Sequence, residues 1–237
     1  MHIPARNTVT QEKLEAEVGF LSDSLCQGRG MGTVGCVEAS SWVARRVENR
    51  GLLKFEDTWV KSFRIENGLI GRNVIGMLLG SAKELNDRYI IVGAHFDHLG
   101  VLDGKIYHGA DANASGTVAM TSIARMMVAM RIATGRRLPS NVIFVGFDGK
   151  ESDMAGSIAL WNMISNGELT DPVSRKVITP RQIKLMVNID QIGATLSPLR
   201  KDRPDYIIML ENDRLKQSKR GLLEYCKKNL KTNLDLG

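Results

Sequence analysis

The chain has 237 residues, 43% hydrophobic and 24% charged, with a net charge of +6. This is the balance of an ordinary globular domain, long enough to bury a core without a disulfide scaffold. Aromatic residues are only 5% and Lys and Arg are scattered, so no basic stripe for nucleic acid is present, and no apolar run approaches the ~20 residues of a membrane span.

Leu14, Val18 and Leu21 at helical spacing predict a first helix over 11–22. The glycine-rich QGRGMGTVG that follows reads as a loop, and its spacing is not that of a dinucleotide-binding turn. A second helix is expected over 37–49, ended by Gly51. Strands are expected over 58–65, 73–79 and 89–94, the last (YIIVGA) apolar enough to be buried on both faces. A buried helix follows over 115–130, then a buried strand over 141–147 (NVIFVGF), a helix over 157–164 and a third buried strand over 183–189 (IKLMVNI). A strand over 206–210 and an amphipathic helix over 214–230 complete the pattern. Buried strands alternating with helices imply an α/β three-layer sandwich, a largely parallel mixed sheet flanked by helices, in a single domain over 1–237.

The cysteines Cys26, Cys36 and Cys226 form no CxxC pair and are odd in number, so they fix no redox compartment. The N-terminal MHIPARNTVT has no apolar signal core. A cytoplasmic location is expected, or a periplasmic or secreted one if a signal was removed.

Polar clusters recur where the buried strands end. His95, Asp97 and His98 follow YIIVGA; Asp148, Lys150 and Glu151 follow NVIFVGF; Asp190 follows IKLMVNI; and Asp111 precedes the long helix. In open α/β sheets, ligands bind beyond the carboxyl ends of the strands. Imidazole together with carboxylates suits zinc or a similar first-row ion better than calcium. Taken singly, each has a plainer reading: a loop histidine, a helix cap at Asp111, solvated strand ends at Glu151 and Asp190. No GxSxG elbow supports a nucleophilic serine.

The segments IIVGAHFDHLG, YHGADANASGTVAM, VIFVGFDGKESDMAGS and MVNIDQIG, in that order and approximate spacing, resemble the M28 family of zinc aminopeptidases. LSDSLCQGRGMGTVG and NVIGMLLGS extend the resemblance over nearly the whole chain. It implies hydrolysis of N-terminal peptide bonds at a site with two zinc ions bridged by a carboxylate. Carried over, His95 is a zinc ligand and Asp97 the partner of its other ring nitrogen. Asp111 bridges the ions, with a strained or cis peptide to Ala112, while Glu151 binds one ion and Asp190 the other. His98 and His108 match no ligand position and read as pocket or loop residues.

The chain departs from the family's pattern twice. Relatives carry two successive glutamates, the first a general base; here Lys150 stands in that place, before Glu151. A protonated lysine accepts no proton. The family's last ligand is a histidine beyond the Asp190 motif, but the four histidines are His2, His95, His98 and His108. His95, Asp111 and Asp190 are therefore expected to hold one zinc ion, and the second ion to lack donors. The resemblance further implies a C-terminally incomplete domain, whose exposed sheet edge favours a homo-dimer. Two other readings stand beside a weakened peptidase: a non-catalytic relative that binds peptide or protein in the old cleft, and a glutaminyl-cyclase-like enzyme, suggested by the FDG before Lys150.

Overall fold

The computed structural model describes residues 9–81 and 88–194, all but the last of which belong to one compact unit, Met1–Gly193. The expected strand over 206–210 and helix over 214–230 lie outside the described residues.

Helix α1 runs over Gln11–Leu21, its N-terminus capped by Thr10, whose hydroxyl accepts from the Lys13 amide at 3.4 Å. The glycine-rich stretch is partly regular: Ser24–Arg29 forms a 3-10 turn. Gly28 has φ +65°, and a Cβ there would stand 2.4 Å from the Gly100 carbonyl oxygen, so only glycine fits. Helix α2, Val34–Asn49, begins three residues before its expected start because Thr33 caps it, accepting from the Cys36 amide at 3.3 Å.

Strands β1 (Leu53–Lys54), β2 (Val60–Arg64) and β3 (Ile70–Leu78) follow. Next come β4 (Tyr89–His95) and a short hairpin, β5 (Val101–Leu102) with β6 (Lys105–Ile106). A π-type segment over Ala110–Ser115 leads into α3, Gly116–Thr134. Strand β7 (Asn141–Phe147), helix α4 (Ala155–Ser165) and strand β8 (Ile183–Asn188) complete the described unit.

The sheet is mixed, in the order β1-β3-β7-β4-β8, with β2 also on β3. Its parallel part is confined to β7-β4-β8; the β1, β2 and β7 pairings with β3 are antiparallel. Only a short turn separates β2 from β3, and so short a link joins antiparallel neighbours only.

Helices cover both faces of the sheet, which explains the unbroken apolar runs. In β7, Val142 and Phe144 pack with Val43 and Val47 of α2 and Val118 of α3. Ile143, Val145 and Phe147 pack on the opposite face with Leu160 and Ile164 of α4. All seven residues of β7 are buried. Strand β8 departs from the buried strand expected of IKLMVNI: Met186 and Val187 are exposed. Among the described residues it pairs on one side only, with β4, so its apolar run is not enclosed.

Candidate active site

The parallel register places the chemistry. His95, the last residue of β4, stands opposite Phe147, the last of β7, and Gly93 stands opposite Asn188, the last of β8. The polar residues after these three strands therefore emerge at one sheet edge.

His95 is 3% exposed and held on both sides. Its Nδ1 lies 3.1 Å from the Asp97 carbonyl oxygen and 3.5 Å from Asp97 Oδ1, while its Nε2 lies 3.2 Å from Asp190 Oδ1. Asp97 is fully buried; its Oδ2 accepts from the Glu151 amide at 3.0 Å, tying the β4 and β7 loops together. Burial pulls the His95 pKa down, but Asp97 and Asp190 outweigh it and leave it raised.

Lys150 Nζ donates to Glu151 Oε1 at 3.0 Å. Partial burial lowers the lysine pKa, but Glu151, with Asp190 and Asp97 further off, outweighs it and raises the value. The ammonium therefore stays charged at neutral pH. His98 Nδ1 lies 3.9 Å from Glu151 Oε1, and burial followed by the Arg29 charge lowers its pKa. His108 bonds the Ser22 carbonyl oxygen through Nδ1 at 2.7 Å. Both lie in loops between β4 and α3.

Asp111 reaches the same edge from the π-type segment. Its Oδ1 accepts from the Gly193 amide at 2.8 Å, and its carbonyl oxygen accepts from the Ser115 hydroxyl at 2.8 Å. The cis peptide bond is Ala112–Asn113, one residue beyond the Asp111–Ala112 bond expected from the resemblance.

All four expected donors thus lie at one edge, but they are not drawn to one point. Two donors sharing a tetrahedral zinc at 2.0–2.1 Å stand about 3.3 Å apart, so the 3.2 Å between His95 and Asp190 fits a common ion. Asp111 is engaged by Gly193 and Glu151 by Lys150. Among the described residues, no three His, Cys, Asp or Glu side chains are gathered to hold a metal. The expected trio of His95, Asp111 and Asp190 is therefore present as a pair with its third member held aside. The donor set fits the start of one ion site and does not fit a second.

Three further residues position the site; Arg29 had no role in the sequence reading, whereas Asp148 was named there among the polar residues after NVIFVGF. Arg29 is fully buried; its guanidinium donates to the carbonyl oxygens of Phe96 (2.6 Å), His108 (2.9 Å) and Gly109 (2.8 Å), and also to that of Leu21. It fastens the His95 and Asp111 loops to the N-terminal segment. Asn113 donates to the Ile189 carbonyl at 2.9 Å and accepts from the Gln191 amide at 3.1 Å, which sets the Asp190 loop against the π-type segment. Its place within GADANASG was the available signal. Asp148 accepts from the Cys36 thiol at 3.3 Å and the Arg72 amide at 2.9 Å. Burial, then nearby Asp97, raises its pKa to about 6.

A cleft of about 290 Å³ opens over this edge. His95, Lys150 and Asp190 form its polar side, and Phe147, Met154 and Met186 its apolar wall.

Comparison with known proteins places the chain in a family and gives it relatives of the same fold. The family described as Peptidase family M28 matches residues 73–228. The chain belongs to this family. It is 27% identical over 197 residues to a probable leucine aminopeptidase of Arthroderma otae, covering 81% of this chain and 45% of that protein. A glutamate carboxypeptidase 2 homolog of Caenorhabditis briggsae is 36% identical over 86 residues, which cover 36% of this chain and 10% of the relative. Among solved structures, Legionella pneumophila LapA superposes with a TM-score of 0.67 at 17% identity, over 99% of this chain and 57% of that one. Porphyromonas gingivalis glutaminyl cyclase superposes with a TM-score of 0.56 at 17% identity, over 78% of this chain and 62% of that one. The chain thus spans 45% of that leucine aminopeptidase relative and 57% of LapA. No helix among the described residues is long and apolar enough to cross a membrane.

Proposed function

We propose that this chain is a zinc-dependent exopeptidase that hydrolyses N-terminal peptide bonds, slowed by the lysine at the general-base position. The observation that carries the reading is the buried His95, with Nε2 at 3.2 Å from Asp190 and Nδ1 backed by Asp97. With a proton on Nδ1 facing Asp97, the Nε2 lone pair is free for a metal. His95 and Asp190 would hold zinc, with Asp111 as the third donor. A zinc ion supplies Lewis acidity and lowers the pKa of its water.

The chain's own residues do the rest. Asp97 fixes the ring and, through the Glu151 amide, the β7 loop. The Phe147, Met154 and Met186 wall takes an uncharged side chain of the peptide. Lys150, as an ammonium, cannot take the proton that the first glutamate takes in relatives. Loss of a general base costs about 10²–10⁴-fold in rate, or roughly 3–5 kcal/mol of barrier.

The Lys150–Glu151 bond also favours a second reading, a non-catalytic relative that binds peptide in the same cleft. Hydrolysis of a leucine anilide separates the two. Turnover that a chelator abolishes and zinc restores supports the peptidase; turnover no faster than that of a His95→Ala control supports the binder. A glutaminyl cyclase shares the fold, but GADANASG fits the aminopeptidase pattern better.

A further inference from the structure

We propose that Arg46, Arg50 and Arg125, together with Glu17, form an anion site among helices α1, α2 and α3, and that it takes free hydrogen phosphate. The site uses none of the residues at the strand ends and does not rest on the peptidase reading.

Three guanidinium groups share one carboxylate. Arg46 Nε lies 3.1 Å and Arg50 Nη2 3.9 Å from Glu17 Oε1. Burial, then the Arg125 charge, lowers the Arg50 pKa, with Glu17 opposing, so the third guanidinium stands close to the other two. The Glu17 side chain is 10% exposed and that of Arg50 17%, so the repulsion between these like charges is poorly screened by water. The carbonyl end of α2 offsets part of the charge of Arg46 and Arg50. Arg125 has no such help: it sits in mid-α3, and its buried Nε and Nη2 meet no acceptor among the described residues.

The unmet hydrogen bonds describe the occupant. Arg46 Nε and Arg50 Nε are also buried without an aligned acceptor, and so is the hydroxyl of Ser122, one turn before Arg125 on the same helix face. Buried donors left unpaired are costly, and an ion with several acceptor oxygens relieves them together. Guanidinium forks match the oxygens of a phosphate in pairs. Glu17 Oε2 is buried and unpaired as well, and it calls for a donor. Hydrogen phosphate brings an O–H beside its acceptor oxygens, whereas sulfate and the dianion of a phosphate ester bring none. The Arg46 side chain is 30% exposed, so the cluster opens to solvent on that side.

Calorimetric titration of the full chain with inorganic phosphate tests this, at mildly alkaline pH and an ionic strength held constant with chloride. Circular dichroism checks that each variant is folded. Phosphate should bind the wild type, and Arg125→Gln and Arg46→Gln should each weaken it by about 10–100-fold, the worth of a hydrogen bond to a charged group. Arg181→Gln removes the same charge at an exposed residue and should leave binding unchanged, as should His95→Ala at the strand ends. Sulfate and glycerol phosphate should bind more weakly than phosphate. No binding by the wild type, unchanged binding in both folded variants Arg125→Gln and Arg46→Gln, equal weakening in Arg181→Gln, or loss of binding in His95→Ala overturns the site. Sulfate or glycerol phosphate bound as tightly as phosphate overturns the role of Glu17 and the assignment to the free ion.

Discussion

At the His95 end of the site, a carboxylate stands on each side of an imidazole; at the Glu151 end, an ammonium stands against a carboxylate. Both ends hang from the same three parallel strands and share Asp97, which faces His95 with one oxygen and the Glu151 amide with the other. The two ends share a scaffold, and their chemistry differs through the side chains placed on it. A fold that sets backbone positions at a sheet edge leaves the choice of reaction to the residues placed there.

The largest effect expected is at the His95 end. His95→Ala should remove zinc binding and reduce leucine-anilide hydrolysis to the level of chelator-treated wild type. Turnover retained in that variant would break the comparison, because the activity would then not depend on the donor pair.

Lys150→Glu probes the other end. It should raise kcat by about 10²–10⁴-fold, the usual worth of a general base. An unchanged kcat with normal folding would mean that Lys150 is not what limits the reaction.

Asp148, beneath the cleft, links the site to stability. Burial, followed by Asp97, lifts its pKa from 3.8 to about 6. The folded chain then holds this proton more tightly than the unfolded chain. The stabilisation is complete below the unfolded value and is lost as pH rises through about 6. The unfolding free energy from urea titrations should fall between pH 4 and pH 6, by ~3 kcal/mol from this group, and Asp148→Asn should flatten that fall. An equal slope in the variant would assign it to other groups.

The smallest effect sharpens the role of the shared carboxylate. Asp97→Asn should weaken zinc affinity by about 10–100-fold, as expected for a residue that orients a metal-binding histidine. Calorimetric titration with zinc reads this directly. Since Asp97 also holds the Glu151 amide, the same variant should loosen the Lys150–Glu151 turn, seen as faster amide exchange at Glu151.

Much of the fold was legible because burial on both faces leaves a plain trace. YIIVGA and NVIFVGF are uninterrupted apolar runs, and both are buried strands of the sheet. IKLMVNI carries the same trace yet forms an exposed strand, since composition reports what a segment can bury and not what lies against it. The two-residue strands β1, β5 and β6 were missed, being too short to show a period. His95, Asp97, Glu151 and Asp190 stood out as candidates because each lies at or just beyond a strand end. Arg29 was not: nothing local distinguishes an arginine in a glycine-rich loop from one in solvent, and its partners are carbonyl groups dozens of residues away.

The α/β class and the family were readable from the order of apolar runs and motifs along the chain. These are matters of residue type and order along the chain. Only the tertiary structure decided that His95 meets Asp190, that Asp111 is held by Gly193, and that the Lys150 ammonium lies against Glu151. The first two contacts depend on strand register and loop packing, which bring together groups some eighty to ninety-five residues apart in the chain; the third joins sequence neighbours and depends on the side-chain conformations at the turn.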